Sequence, residues 1–248
     1  MTGEPKLPSS SEKLQLWLRC ETKLFEKRAV LTPAAAKQLI EAGLDVAVEE
    51  DQDRIYDIEE YKKWVTSLPL SPIFLIITTL ISARVGCEVK PYNSWPNAPP
   101  SAIIIGLKEL PPFPDLLKHT HLFIAHCYKN QAGWKDTLSR FSRGGGTLYD
   151  LEYLKEENGR NVATFGFHAG FVGAAIGLLA FAARKDDGEG KLGRLDMYNL
   201  EEELVEDVKQ KLLEGGKKLE DLNVLVLGAL GGCGSGALEL LLKVGLAE

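Results

Sequence analysis

Cysteine is sparse in this sequence and never paired: Cys20, Cys87, Cys127 and Cys233 lie far apart, and none belongs to a CxxC motif. The spacing argues against a zinc site and against a disulfide framework, so no metal and a reducing compartment are expected. Basic charge is in deficit, 29 Lys and Arg against 35 Asp and Glu, for a formal charge of −6 and a pI near 5.4. A chain without a broad basic footprint is a poor match for nucleic acid or an anionic membrane, and small molecules are the expected partners. There is no internal repeat and no low-complexity tract. The opening MTGEPKLPSSSEK is polar and lacks the apolar core of a signal peptide, which predicts a loose leader on a cytoplasmic protein. What is present is ample for folding. With 248 residues, 45% of them hydrophobic and 26% charged, the chain can bury a sizeable core as one large domain or two small ones and reads as soluble and globular.

Short apolar runs alternate with helical patterns along the chain. LQLWLRC reads as a strand, TPAAAKQLIEAG as a helix with a Thr cap, Pro in its first turn and Gly at its end, and LDVAVEE as the next strand. SAIIIGLKE, HLFIAHCY and GTLYDLEYL read as further strands, and WKDTLSRFSRGG as a helix ending in glycines. This alternation implies an α/β fold, a parallel sheet covered by helices on both faces. A long small-residue helix, GFHAGFVGAAIGLLAFAA, could bridge two domains. It is followed by the polar linker KDDGEGKLGRLDMYNL, the charged helix EEELVEDVKQKLLEGG and NVLVLG, the expected opening strand of a second unit.

One stretch, WVTSLPLSPIFLIITTLISARV, carries no charge between Lys63 and Arg84. A membrane span needs about 20 apolar residues, but Pro69 and Pro72 break the first half and α/β patterns flank both sides. The remaining readings are a buried strand or helix, or an insertion foreign to the fold.

Three clusters have the residue types for chemistry. In CETKLFEKRAVLTP, Lys23, Lys27 and Arg28 gather after a strand, at the carboxyl edge where open α/β sheets bind ligands. Arg28 could grip a carboxylate with two parallel hydrogen bonds, or these could be solvated charges around a helix start. In IIIGLKEL a buried strand delivers Lys108 and Glu109; a lysine leaving an apolar strand is either desolvated and tuned toward a general base or snorkels to water. In FIAHCYKNQAGW, His126 again follows a strand, with Tyr128, Lys129 and Gln131 in the turn. It is either a proton-transfer group or a structural histidine, and Cys127 beside it reads as buried and inert. Asp150 and Glu152 in YDLEYL would share one side of a strand and could modulate a nearby base, or simply be exposed. Near the end, GALGGCGSGA places Gly228, Gly231 and Gly234 after a strand and before a helix, with Gly236 in its first turn. Such glycines permit a tight turn and close approach of a pyrophosphate at the helix N-terminus, although the spacing is GxxGxxG rather than GxGxxG.

LRCETKLFEKRAVLTP, IIIGLKE, FIAHCYKNQAGW, GTLYDLEYL, GRNVATFGFHAGFVGAA and VLVLGALGGCGSGA, in this order, resemble the fungal saccharopine dehydrogenases that form L-lysine with NAD. The ETK and RxxLTP pattern is shared with the wider alanine dehydrogenase and transhydrogenase group, whereas AHCYKxQAGW is specific to the narrower family. The resemblance implies a Rossmann-like N-terminal domain over residues 1–163 and the first β-loop-α unit of a second, dinucleotide-binding Rossmann domain over 164–248, with the active site in the cleft between the two. It implies NAD-dependent oxidative cleavage of saccharopine to lysine and 2-oxoglutarate by a cytoplasmic monomer. Lys108 would deprotonate the secondary amine, His126 would activate water, Glu109 and Glu152 would tune those two groups, and Arg28 would hold a substrate carboxylate. Lys23, Lys129, Gln131 and Phe165 would also lie at the substrate, while Arg160 and the loop Gly228, Gly231, Gly232 and Gly234 would contact NAD.

The sequence also departs from the family. Asn161 and Gly232 stand where arginines are expected, and 64–85 is extra, which suggests a retained intron or a lineage-specific insertion. The chain ends one helix into the expected cofactor domain, before the acidic residue expected about 20 positions past the glycine loop to hold the ribose. A truncated enzyme with weak or no NAD binding is therefore expected. Any peroxisomal address would belong to a longer form, since GLAE is not one. A related amino-acid dehydrogenase, acting on alanine for example, and a non-catalytic binding fragment are the competing readings.

Overall fold

A computed structural model describes residues 14–62, 86–129, 131–184, 190–195 and 197–246. The apolar segment 64–85 and the polar leader lie outside these residues. The chain forms two compact units, Met1–Val162 and Ala163–Glu248.

The first unit is α/β. Six strands, β1 (Gln15–Leu18), β2 (Asp45–Glu49), β3 (Glu88–Lys90), β4 (Ile103–Ile105), β5 (Thr120–Phe123) and β6 (Thr147–Asp150), form one sheet in the order β3-β2-β1-β4-β5-β6. Every neighbouring pair is parallel, with registers such as Leu16 opposite Val46 and Ile103, and Ile105 opposite Leu122. Because consecutive strand residues point to opposite faces, a sheet buried on both sides needs apolar residues at every position. Trp17, Ala47, Ile104 and Phe123 feed one core with Trp95 and Phe141, while Leu18, Val46, Val48 and Ile105 feed the other with Ala36 and Tyr61. Each fully buried large apolar side chain contributes about 2 kcal/mol of hydrophobic stabilisation.

The helices carry local signals. In α1 (Pro33–Glu41), Thr32 Oγ1 accepts from the Ala35 amide at 3.1 Å, and proline occupies the first turn. α2 spans Ile58–Lys62. α3 (Trp134–Gly144) ends where Gly145 adopts the left-handed conformation that stops a helix, φ +77. Strand β6 stops at Asp150, whose side chain accepts from the Glu152 amide to open a 3₁₀ turn over Leu151–Tyr153. The expectation that Asp150 and Glu152 share one face of a strand is thus overturned: side-chain capping by Asp150 breaks the alternation before Glu152.

The second unit contains α4 (Gly166–Ala183), α5 (Glu201–Glu214) and α6 (Gly232–Val244). Close packing of α4 on α6 rests on glycine, since a Cβ at Gly170 would collide with the Cys233 carbonyl and one at Gly236 with the Phe167 carbonyl. Phe171, Leu178, Val208, Leu212, Leu240 and Leu241 make the shared core. α4 is long and apolar enough to cross a membrane by length and composition alone. The expected strand NVLVLG pairs with no strand among the described residues, and Leu225 and Leu227 are exposed. A strand exists only through its ladder partners.

His121 on β5 is fully buried between the rings of Trp95 at 5.1 Å and Phe141 at 5.3 Å, with neither ring nitrogen hydrogen-bonded. Burial, followed by the positive charges of His119, Arg19 and Arg140, pushes its pKa down to about 3. The folded value lies below the unfolded one, so this group's contribution is intact above about pH 6.5 and is lost as the pH falls from there toward 3. Between pH 6.5 and 4.5 His121 should therefore destabilise the first unit by about 2 kcal/mol. Urea titrations of wild type and His121→Phe at those two pH values should show the variant losing less stability on acidification. Equal losses in the two proteins would contradict this assignment.

Candidate active site

Open parallel sheets offer a crevice where the strand order reverses, and here that point lies between β1 and β4. The chain leaves β1 through Arg19, Cys20 and Glu21 and leaves β4 through Gly106, Leu107 and Lys108. The two exits are tied together. Glu21 Oε1 accepts from the Leu107 amide at 2.7 Å and Oε2 from the Lys108 amide at 3.0 Å. Arg19 Nη1 donates to the Cys20 carbonyl at 3.0 Å and to Glu21 Oε2 at 3.3 Å, and its Nη2 donates to the Lys108 carbonyl. Arg19 and Glu21 are almost wholly buried, with side-chain exposures of 1% and 5%. Burial pushes the Glu21 carboxyl above its usual value despite Arg19 and the two amides. The guanidinium passes where Gly106 has no Cβ, and any Cβ there would collide with it.

A second buried carboxylate braces the next exit. Glu49, at the end of β2, accepts from Trp17 Nε1 and the Trp95 amide through Oε1, and from the amides of Cys20 and Asn93 through Oε2, at 2.5–3.1 Å. All four donors are N–H groups, so the carboxylate is matched without a cation.

Lys108 is half-buried, and its charge lies within electrostatic reach of Glu26 and Glu109. Lys23 Nζ donates to both Glu109 oxygens at 3.0 and 3.1 Å across the β1 and β4 loops. Burial alone would raise Glu109, but its own amide and Lys23 outweigh that and hold it below the usual carboxylate range. Arg28 makes its two-pronged contact with Glu26, Nε to Oε1 at 2.8 Å and Nη2 to Oε2 at 2.7 Å. The fork expected to grip a substrate carboxylate thus already holds a protein carboxylate, and a ligand there would share or displace it.

The exit of β5 carries His126. The Ile124 amide donates to the Leu107 carbonyl at 3.2 Å, one residue out of the β4–β5 register, and so ties the two strand exits together. His126 sits in the left-handed region, φ +55, rare for a residue with a Cβ and frequent at functional turns. Its Nδ1 lies 3.1 Å from Glu152 Oε2, and Lys129 Nζ donates to Glu152 Oε1. The hydrogen bond from Lys129, more than the one from His126, holds Glu152 below the usual carboxylate range, so it stays ionised. Asp150 Oδ1 fixes the arrangement by accepting from the amides of Ala125 at 3.2 Å and Glu152 at 3.1 Å.

The first unit therefore brings Lys23, Arg28, Lys108, Glu109, His126, Lys129 and Glu152 to the carboxyl ends of β1, β4, β5 and β6. Gln131 is exposed just before α3. Arg160 is exposed on a hairpin closed by the bridge between Lys155 and Asn161 and pairs with Glu156. Phe165 precedes α4 in the second unit and is partly exposed. Sequence reasoning missed Arg19, Glu21 and Glu49. The signal that singled out Lys108, charge at the end of an apolar strand, is equally present in LRCE and VAVEE.

In the second unit the glycine loop opens α6. Gly228 is left-handed, φ +81, and the Gly231 amide donates to its carbonyl at 2.9 Å. A Cβ at Gly234 would strike the same carbonyl. Gly231 offers no side-chain cap, so the first-turn amides from Gly232 onward are left to other acceptors. This close-approach cradle at a helix N-terminus fits a pyrophosphate.

No family model matches the sequence. Among curated proteins, the chain is 46% identical over 240 residues to saccharopine dehydrogenase [NAD(+), L-lysine-forming] of Yarrowia lipolytica, covering 95% of this chain and 58% of that protein. This chain is similar in sequence to the saccharopine dehydrogenases. The enzyme of the same name from Candida albicans is 44% identical over 248 residues, covering 94% and 59%, and that of Schizosaccharomyces pombe 42% over 234 residues, covering 93% and 58%. The chain thus spans a little under three fifths of the length of these saccharopine dehydrogenases. Among solved structures, an L-alanine dehydrogenase aligns with a TM-score of 0.48 at 16% identity, over 95% of this chain and 53% of that one.

The cysteines can be ranked by environment. Burial pushes the Cys127 thiol up to about 11 and those of Cys20 and Cys87 to about 12, whereas Cys233 is exposed. Since the thiolate is the reactive form, a thiol reagent at pH 8 should modify Cys233 alone in the native chain and the other three only on unfolding, as read by peptide mass mapping. Modification of Cys127 ahead of Cys233 would show that the His126 turn is not built as described.

Proposed function

We propose that this chain carries the substrate-binding and proton-transfer half of an NAD-dependent saccharopine dehydrogenase, which cleaves saccharopine oxidatively to L-lysine and 2-oxoglutarate. The observation that carries this reading is the placement of Lys108 and His126 at adjacent strand exits beside the switch point of the sheet. The identity to enzymes of that name supports it, as does the glycine cradle of the second unit for NAD.

NAD, when bound, supplies the hydride acceptor. Lys108 Nζ takes the proton of the secondary amine as the adjacent C–H is oxidised, leaving a carbon–nitrogen double bond on the substrate. Glu152 accepts from Nδ1–H of His126, which leaves Nε2 as the basic atom. His126 Nε2 takes a proton from the water that adds to the double-bonded carbon. His126 returns that proton to the nitrogen, and as the carbon–nitrogen bond breaks the hydroxyl proton of the added oxygen also passes to the departing lysine amine, leaving the oxygen on 2-oxoglutarate as its keto group. Lys23 and Arg28 supply positive charge for carboxylates of a substrate that carries three. We include in the proposal a cytoplasmic monomer without nucleic-acid or membrane partners. The free thiols and net charge of −6 support the compartment and the partners.

A segment swap tests the reading. The matching 240 residues of the Yarrowia lipolytica enzyme are replaced by this chain, and NADH oxidation is followed with lysine and 2-oxoglutarate. The chimera should turn over, and Lys108→Met and His126→Gln should each lower kcat by about 100-fold or more, the scale of a lost general acid–base group. Turnover that both substitutions leave intact would overturn the assignment.

A further inference from the structure

Lys108 emerges from β4 into a half-buried setting, and among the described residues no hydrogen bond or ion pair holds its ammonium. Its backbone, by contrast, is held on both sides. The amide donates to Glu21 Oε2 and the carbonyl accepts from Arg19 Nη2, while the preceding amide of Leu107 donates to Glu21 Oε1. Arg19 and Glu21 are joined to each other and come from a different strand, 87 positions away in sequence for the Glu21 to Lys108 bond. Two buried charged side chains therefore grip one peptide segment from both faces, at a cost in desolvation that a neutral loop would not carry.

We infer that Arg19 and Glu21 are positioning residues for Lys108: together, braced across the bare Cα of Gly106, they fix the peptide that aims the lysine into the crevice between β1 and β4. The inference rests on the reading of Lys108 as the proton acceptor. A long flexible side chain is aimed chiefly by its own backbone, and a displacement of about 1 Å at a reacting group is enough to cost about 100-fold in rate. Glu21 must be long enough to reach two amides at once, and shortening it by one methylene leaves at most one bond. Gly106 must lack a Cβ, because any substituent lies where the guanidinium runs. Neither residue would touch substrate.

The test uses the 248-residue chain with lysine labelled at Cε, with Lys108→Arg assigning the Lys108 signal. Wild type is compared with Glu21→Asp, which keeps the charge and shortens the arm, and Gly106→Ala, which keeps both charges and displaces Arg19. Cooperative unfolding in urea identifies the folded variants. In these the Lys108 signal should move from its wild-type chemical shift and its response to added saccharopine should fall, while the signals of lysines in the second unit such as Lys211 stay unchanged. A Lys108 signal that keeps its wild-type chemical shift and response would overturn the inference. If Glu21→Asp does not fold, Gly106→Ala decides. If the wild-type Lys108 signal ignores saccharopine altogether, the functional reading fails, and the displacement of the Lys108 signal in the variants alone decides whether Arg19 and Glu21 position the lysine.

Discussion

The first unit depends on a carboxylate with almost no access to water. Glu21 bonds two amides of the β4 exit and the guanidinium of Arg19, and so joins the two strands that flank the reversal of sheet order. Hydrogen bonds to an ionised acceptor are roughly twice as strong as neutral ones, and a buried charge that lost them would stand uncompensated. The geometry is therefore close to all-or-none. Glu49 does the same between β2 and the loops that follow β1 and β3, with four N–H donors on one carboxylate. Two buried acids thus hold the floor of the crevice, and the charged groups assigned to substrate stand on it.

Those groups are arranged in pairs that mix signs. Lys23 with Glu109, Arg28 with Glu26, and Lys129 with Glu152 each place a cation against a carboxylate, and the His126 ring lies against the last of these. Most of these are partly exposed, so the pairs add little to stability. Their value is positional, because they leave ionised groups in fixed places at the mouth of a sheet built from apolar strands. The left-handed backbone at His126 belongs to the same logic. The Asp150 bonds to the amides of Ala125 and Glu152 maintain that turn and its carboxylate partner together.

Much of this was legible in the sequence because period and charge agreed. LQLWL, DVAVE and HLF alternate into two cores, Thr32 and Pro33 start a helix as capping predicts, and Lys108 and His126 stand where apolar runs end. The failures have physical causes. Glu152 left the strand face because Asp150 caps a turn before it. NVLVLG has strand propensity but no neighbour to form a ladder with. The three-residue β3 at the sheet edge is too short to show a period. His121 shares the face of Phe123, as alternation requires, but nothing in HLF says that its ring nitrogens go unpartnered. Arg19, Glu21 and Glu49 were visible as charges at strand ends, yet only the structure shows that they point inward, Arg19 to backbone carbonyls and the two acids to backbone amides. The same local pattern at Lys108 and at Glu21 gives one residue left half-buried and one turned to the scaffold.

A substrate held where β1, β4, β5 and β6 end would perturb the backbone of those four strand exits. Backbone amide shifts of the ¹⁵N-labelled chain, recorded with and without saccharopine, test it most directly. Changes should concentrate at Glu21–Arg28, Leu107–Glu109, His126–Lys129 and Glu152, with helix α5 of the second unit silent. Changes confined to the exposed apolar segment Leu222–Leu227, or none at saturating saccharopine, would contradict it.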